Sequence, residues 1–313
     1  MTETKDKIKD FEYKEGIKVK DFVDQLSSVG FQATELGKCV QVIKNMKKDK
    51  SKVILQFTSN MGTSGLRGLF AYLSKIKFMD IVICTVGAIE EDIIKSKDDF
   101  YLGSFESDDK ELHDKGLNRV GNILVPNKGY EDLEDFITPI LEELYKEKKV
   151  WGATELVFRL GSYVKDENSF VYQCYKNNIP IFCPSIIDGP LGIHLKIFKQ
   201  KHSDFIIDTV LDLDKILQEV AFTDKKGVIS LGGGVGKHMA IMASIMEGGV
   251  DYAVYLTTAK EYAGSLSGAP PKEAMSWGKI KDVSNTALLH GDVTINFPLI
   301  ITKVLEDVNT KTD

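Results

Sequence analysis

Cysteine is scarce in this chain of 313 residues, and long apolar runs are missing. The four cysteines, Cys39, Cys84, Cys174 and Cys183, are scattered and form no C-x-x-C pair. This spacing is typical of buried, reduced thiols rather than of a zinc site or a disulfide framework. No apolar stretch approaches the roughly 18 residues that cross a bilayer, and the charged N-terminal segment lacks the apolar run of a signal peptide. We therefore expect a cytoplasmic protein without a bound metal ion.

Basic charge is also in short supply. Lys and Arg total 40 residues against 46 Asp and Glu, which gives a net charge of −6. A nucleic-acid-binding protein usually carries a dense basic patch, so this balance argues against nucleic acid as a partner. The acidic charge could instead attract a cation, either a polyamine or a basic protein surface. The shares of apolar residues (43%) and charged residues (27%) are ordinary for a globular protein.

Short apolar runs alternate with helical patterns from residue 52 onward. Strands are predicted at residues 53–57, 81–85, 179–183, 205–210, 228–231 and 253–256. Most are followed by a stretch of helical spacing, which is typical of an α/β fold with a Rossmann-like parallel sheet flanked by helices.

The regions outside this alternation have other patterns. Residues 1–17 are predicted to be a solvated extension and residues 19–46 to be helical, so a mostly helical N-terminal extension is expected over 1–50. A single α/β catalytic domain is expected over 51–313. Residues 96–130 are interpreted as an insertion of loops with a possible hairpin. Pro139 is expected to kink the helix that contains it, or to make it restart at Thr138.

The glycine-rich segment at residues 231–238 fails two phosphate-binding patterns. The P-loop needs Gly at its first position and Ser or Thr at its last, but Leu231 and His238 stand there. The dinucleotide pattern G-x-G-x-x-G needs a third glycine where Lys237 stands. The glycines could still bring the backbone close to an anion at a helix start, or they could serve only strand–helix packing. His238 is placed on the first helical turn, where the positive helix end favours a neutral imidazole; a purely structural histidine is the alternative.

The clearest chemical signal is a Ser/Gly loop that leads through two prolines into Ser-Trp-Gly-Lys at residues 276–279. The prolines can open a helix and Gly278 can end it, so Lys279 projects from just beyond the helix end. Trp277 is one of only two tryptophans, and its ring face can attract an alkylammonium group. A desolvated lysine beside it could attack an imine or a carbonyl carbon. A surface lysine that caps the helix fits the same spacing.

The segment at residues 276–280 resembles the lysine motif of the deoxyhypusine synthase family. Further blocks match in family order between about residue 19 and residue 305, at 21–23, 28–33, 58–60, 64–67, 85–92, 121–127, 232–234, 237–238 and 251–255. The resemblance is to archaeal-type members and covers nearly the whole chain.

This resemblance implies an NAD-dependent transfer with no net redox change. The aminobutyl group of spermidine would pass through an imine on Lys279 to a lysine of translation initiation factor 5A, with release of 1,3-diaminopropane. His238 would accept and return protons, and Glu91 would hold a charged amine beside the cofactor. The resemblance also implies a homotetramer with shared active sites.

The resemblance further assigns residues that bind the substrate and the cofactor. For the substrate these are Trp277, Glu273, Glu90, Gly264 and Ser265. For NAD they are Ser59, Asn60, Thr63, Thr85, Val86, Gly87, Asp188, Gly233, Thr258, Ala259, Asp292 and Val293.

Two positions depart from the eukaryotic members, which carry acids that help to bind spermidine where this chain has Ile193 and Leu266. Losing both would weaken polyamine binding, since each charge-assisted contact contributes about 1.5–3 kcal/mol. Archaeal-type members resemble this chain at both places. A homospermidine synthase, with putrescine as acceptor, would use the same Lys279, His238 and NAD. The third alternative is a catalytically silent partner of an active paralogue, and the intact site residues argue against it.

Overall fold

The computed structural model describes residues 7–309 as helices and strands joined by loops. The helices are α1 (Val19–Leu26), α2 (Phe31–Lys48), α3 (Ser59–Thr63), α4 (Arg67–Lys75), α5 (Val86–Ile94), α6 (Asp109–Asp114), α7 (Asn127–Glu147), α8 (Ala153–Tyr163), α9 (Phe170–Asn177), α10 (Pro190–Lys201), α11 (Thr209–Val220), α12 (Gly234–Met242), α13 (Pro271–Ser276) and α14 (Val293–Asn309). The strands are β1 (Lys52–Phe57), β2 (Ile81–Cys84), β3 (Tyr101–Leu102), β4 (Leu117–Val120), β5 (Ile123–Pro126), β6 (Val150–Trp151), β7 (Ile181–Phe182), β8 (Ile206–Ile207), β9 (Lys226–Leu231), β10 (Tyr252–Thr257) and β11 (Thr286–His290).

The chain forms two compact units. The first, here called the lysine unit, combines residues 7–56 with residues 220–309, and the second, the acid unit, contains residues 57–219. The N-terminal helices therefore pack with the C-terminal strands, which differs from the grouping expected from a boundary near residue 50. The division into an N-terminal extension over 1–50 and a single α/β catalytic domain over 51–313 stays a prediction.

The lysine unit is built on strands in the order β11-β10-β9-β1. The central strand β10 pairs in parallel on both sides, so that Ala253 lies beside Val228 of β9 and Thr286 of β11. Strands β9 and β10 are buried along their whole lengths because α2, α12 and α14 pack against this sheet. The loops that follow β9, β10 and β11 meet at one edge, since parallel strands end on the same side.

The acid unit holds the parallel pair β2–β7, a second parallel pair β6–β8 and an antiparallel sheet in the order β3-β5-β4. Helix α5 starts directly after the fully buried strand β2. The antiparallel sheet and the short helix α6 occupy the insertion predicted at residues 96–130, so the expected hairpin is present with a third strand and a helix added. Helix α7 runs continuously through Pro139, and the expected restart at Thr138 is wrong because the buried apolar face of α7 holds both halves together.

Parallel strands flanked by helices confirm the predicted α/β class. All six predicted strands are present, with β7 and β8 reduced to two residues each. Strands β6 and β11 were not predicted. All four cysteines are buried with free thiols, as expected. None of the helices in residues 7–309 combines the length and the apolar character needed to cross a membrane.

Candidate active site

A short helix and its glycine end place Lys279. Helix α13 begins at Pro271 and ends at Ser276. The Gly278 N–H donates to the Met275 carbonyl at 2.9 Å and the Lys279 N–H donates to the Ala274 carbonyl at 3.0 Å. These two bonds form a Schellman end, which requires a left-handed residue, and Gly278 has φ +67°. The helix end predicted from the sequence is therefore confirmed.

The Lys279 side chain points away from solvent, with only 9% of the residue exposed. Its backbone is held from outside the helix, because the Val250 N–H donates to the Lys279 carbonyl at 3.0 Å. The side-chain Nζ lies 3.1 Å from Nε2 of His238 and 5.3 Å from the ring centre of Trp277. An amine, an imidazole and an indole face thus converge on one point.

His238 comes from α12. Partial burial, followed by the positive charge of Lys279, lowers the pKa of His238 below its usual value. The histidine is therefore neutral at physiological pH, and a neutral Nε2 can accept a proton from the lysine. The expected position on the first turn is wrong, since α12 starts at Gly234 and His238 lies one turn further along.

A cavity of about 260 Å³ opens beside this pair in the lysine unit. Its walls are largely apolar, and Glu273 is the one acid among its lining residues, which are Lys237, His238, Ile241, Tyr255, Gly264, Leu266, Ala269, Pro270, Glu273, Ala274, Trp277 and Lys279. Trp277 is 67% exposed and forms one wall at the mouth. The cavity can therefore take an alkyl chain along its walls and an ammonium group at Glu273.

Lys237 is a site residue that the sequence patterns did not reveal. It is 1% exposed, and its Nζ donates to the carbonyls of Leu266 and Ala269, each at 2.8 Å. The same nitrogen lies 4.1 Å from the ring centre of Tyr255. Burial lowers the pKa of Lys237 to about 8, with partial opposition from Glu273. In the sequence, Lys237 was a mismatch to a glycine pattern and part of the matching family block at 237–238, and neither gave it a role.

The loop at residues 264–269, which we call the substrate loop, packs on the glycine segment. A side chain at Gly233 would collide with Ser267, and the Gly234 N–H donates to Ser267 Oγ at 3.0 Å. Gln56 lies against Gly236 of the glycine segment, is fully buried, and accepts a hydrogen bond from Ser230. The structure therefore places the predicted residues Gly233, Gly264 and Ser265 in adjacent segments.

The remaining predicted cofactor residues of the lysine unit follow β10 and β11. The Gly291 N–H donates to the Thr257 carbonyl at 3.1 Å, which joins the two strand ends. Ala259 donates its N–H to Thr257 Oγ1, and the exposed Thr258 lies between them in the chain. Asp292 accepts the Thr294 N–H at the start of α14, whereas the Val293 side chain is buried. Val293 could therefore offer a ligand only its backbone.

Helix α5 of the acid unit carries three consecutive buried carboxylates, of which Glu90 and Glu91 belong to the predicted site. Burial raises the pKa of Glu91, with partial opposition from the Thr63 hydroxyl, Lys95 and Tyr130. Thr63 donates a hydrogen bond to Glu91, and the Lys95 ammonium donates to the Thr63 carbonyl at 3.0 Å. The predicted residues Thr63 and Glu91 are therefore in direct contact.

Five predicted cofactor residues lie at the N-termini of α3 and α5. The Ser59 N–H donates to Thr85 Oγ1 at 2.9 Å, and a side chain at Gly87 would come within 3.0 Å of Ser59. Val86 is buried beneath, whereas Asn60 is exposed and accepts a hydrogen bond from Thr58. These residues fit a dinucleotide, because no described side chain caps the N-terminus of α5, which leaves its first N–H groups open to phosphate, and Gly87 permits close approach.

Asp92 anchors α5 from below and was not predicted as part of the site. It is fully buried, and Arg67 Nε donates to it at 2.6 Å. It also accepts the backbone N–H groups of Phe170 and Val171 and the hydroxyl of Ser169 at the start of α9. This network ties α5, the helix that carries Glu91, to the start of α9.

Comparison with known proteins gives a consistent result. The family model described as deoxyhypusine synthase matches residues 21–304. Deoxyhypusine synthase from Senecio vernalis is 38% identical over 94% of this chain and 88% of its own length. A protein named "Probable deoxyhypusine synthase" from Thermococcus kodakarensis is 40% identical over 98% and 99%. The crystal structure of a protein assigned as a deoxyhypusine synthase from Entamoeba histolytica has a TM-score of 0.66 and 28% identity, and covers 95% of this chain and 96% of that one.

Proposed function

This chain belongs to the deoxyhypusine synthase family, and we propose that it transfers the aminobutyl group of spermidine to a lysine of translation initiation factor 5A, with NAD as cofactor. Family membership makes it a transferase that acts on a polyamine and on a protein. The observation that carries the finer proposal is the pairing of Lys279 with a neutral His238 beside a largely apolar cavity.

The proposed reaction moves one aminobutyl group in two steps. NAD, held by the predicted cofactor residues such as Ser59, Thr85 and Asp188, would supply the hydride chemistry at the secondary-amine carbon of spermidine and for the final reduction. His238 takes the amine proton as the donor becomes an imine. Lys279 attacks the imine carbon and 1,3-diaminopropane leaves, so the butyl group is held on Lys279. The amine of the factor 5A lysine then displaces Lys279, and reduction gives the product with no net redox change.

The other site residues hold the chain of the donor. Trp277 offers its ring face to the alkylammonium group, as an indole does in cation–π contacts. Glu273 at the cavity pairs with a terminal ammonium. Glu91 holds a charged amine beside the cofactor. We further propose a homotetramer with shared active sites, which rests on the family resemblance.

The function is tested with spermidine labelled in its butyl portion. The label is incubated with the protein and NAD, together with factor 5A and putrescine as competing acceptors, and a parallel reaction contains Lys279→Ala. We expect the label on factor 5A, and we expect the Lys279→Ala variant to lose it.

The alternative outcomes separate the candidates. Label found in homospermidine alone would reassign the protein to polyamine metabolism. Label in neither product, with both acceptors present and NAD bound, would contradict the transferase proposal for this donor.

A further inference from the structure

Glu90 is enclosed by a turn of the backbone rather than open to a ligand. The residue is 2% exposed, and its carboxylate accepts the N–H of Leu191. A Cβ atom added at Gly189 would lie 2.7 Å from both carboxylate oxygens. The turn at residues 188–191, here called the aspartate turn, therefore lies directly against the Glu90 carboxylate.

The aspartate turn needs this carboxylate because its own residues cannot cap α10. The N-cap residue is Gly189, which has no side chain, and Pro190 at the first helical position has no N–H. The Leu191 N–H is consequently the first donor at the helix start. A carboxylate there satisfies that donor and opposes the positive end of the helix. Glu90 thus supplies from α5 the cap that the helix lacks.

The electrostatics separate this role from the binding of an amine. Burial raises the pKa of Glu90 to about 7; the Leu191 N–H lowers it, and the nearby charges of Glu91 and Asp188 raise it. A carboxyl group with this pKa is partly protonated at neutral pH. Either form keeps a carbonyl oxygen that can accept from the Leu191 N–H, whereas only the charged form attracts an ammonium group strongly.

Asp188 is the exposed end of the same turn and belongs to the predicted NAD-binding set. Its N–H donates to the Ser185 carbonyl at 3.1 Å, so the turn is tied at one end by Ser185 and at the other by Glu90. We propose that Glu90 is a positioning residue that fixes the aspartate turn for cofactor binding, and that amine binding on α5 falls to Glu91. This inference rests on the proposed function, since it takes NAD as the ligand of Asp188.

Three variants test the inference. Glu90→Ala removes the cap, Glu90→Gln keeps an acceptor oxygen without the charge, and Gly189→Ala pushes against the carboxylate from the opposite side. Two properties are measured on the full chain: hydrogen exchange of the Leu191 amide, and the Kd for NAD by calorimetry. The KM for spermidine is measured as a third property that a positioning role leaves nearly unchanged.

We expect Glu90→Ala and Gly189→Ala to speed exchange at Leu191 and to raise the Kd for NAD, each by about tenfold. In Glu90→Gln, the exchange rate of the Leu191 amide and the Kd for NAD should stay within about threefold of the values of the unchanged protein. The KM for spermidine should also rise by no more than about threefold in this variant. A Glu90→Gln variant that binds NAD normally but loses spermidine would overturn the inference and assign Glu90 to the amine. Normal NAD binding by Glu90→Ala would overturn it as well. If the unchanged protein itself binds no NAD, the proposed function fails together with this inference. This outcome differs from the two above, in which the unchanged protein binds NAD and only the role of Glu90 is overturned.

Discussion

The side-chain nitrogen of Lys279 lies 3.1 Å from Nε2 of His238, in hydrogen-bonding contact. Lys279 extends from the end of α13 and His238 from the second turn of α12, so two separate elements fix the contact. In the proposed reaction, one proton can therefore pass between the Lys279 amine, as nucleophile, and the His238 imidazole, as base. This arrangement meets the requirement that a covalent lysine lies within reach of its proton acceptor.

Removal of the Lys279 charge should raise the pKa of His238. Burial is the larger cause of its lowered pKa and the Lys279 ammonium the second, so Lys279→Met should reverse only part of the shift. The His238 imidazole should then become protonated at a higher pH than in the unchanged protein. Histidine ring signals followed by NMR during a pH titration measure this, and the signal lost in His238→Gln gives the assignment. An unchanged or lower pKa in Lys279→Met would show that the two groups do not interact.

Replacement of Trp277 should weaken binding of the donor without unfolding the protein. A cation–π contact contributes about 0.5–2 kcal/mol, so Trp277→Ala should raise the KM for spermidine about 2- to 30-fold, and Trp277→Phe less. The side chain is 67% exposed, so the free energy of unfolding should change by only about 0.5 kcal/mol. Steady-state kinetics and urea denaturation measure the two effects. Phe222→Ala, at a site 98% exposed in the same unit, is the matched control and should leave the KM unchanged.

Loss of the Asp92 carboxylate should destabilise the acid unit. Asp92→Ala removes the fully buried partner of Arg67, which keeps only the half-buried Asp166, and removes the acceptor of two N–H groups at α9, which together cost about 3–5 kcal/mol. The free energy of unfolding in urea measures this loss. Asp109→Ala is the control, since Asp109 pairs with Arg119 at the surface and its loss should have no measurable effect. Equal losses in the two variants would contradict the importance assigned to burial.

The fold was largely predictable from local patterns, and the exceptions have physical reasons. Buried strands such as β9 and β10 are continuous apolar runs that the sequence displays directly. Strand β11 reads Thr-Ala-Leu-Leu-His, in which only Thr286 is β-branched, and its strand geometry depends on pairing with β10. The grouping of α1 and α2 with the C-terminal strands is a long-range packing result that no local pattern contains.

Some features of the site could likewise be predicted from local sequence, and others could not. The position of Lys279 follows from a helix end that Gly278 encodes locally. Lys237 could not be recognised, because its partners are carbonyls of the substrate loop about thirty residues away. The surroundings of Glu90 depend likewise on a turn that lies 101 residues away in the chain. The chemical roles of the cofactor residues stay predictions from the family resemblance.

The measurement that tests the central claim most directly is the capture of the aminobutyl imine on Lys279. The protein is mixed with spermidine and NAD in the absence of factor 5A, reduced with borohydride, digested and mapped by mass spectrometry. Lys281→Ala is the matched control, because Lys281 is a nearby lysine paired with Asp251 outside the cavity. We predict one aminobutyl group on the peptide that carries Lys279, in the unchanged protein and in Lys281→Ala, and none in Lys279→Arg. An adduct on another lysine, or an adduct that persists in Lys279→Arg, would contradict the assignment of Lys279 as the residue that carries the transferred group.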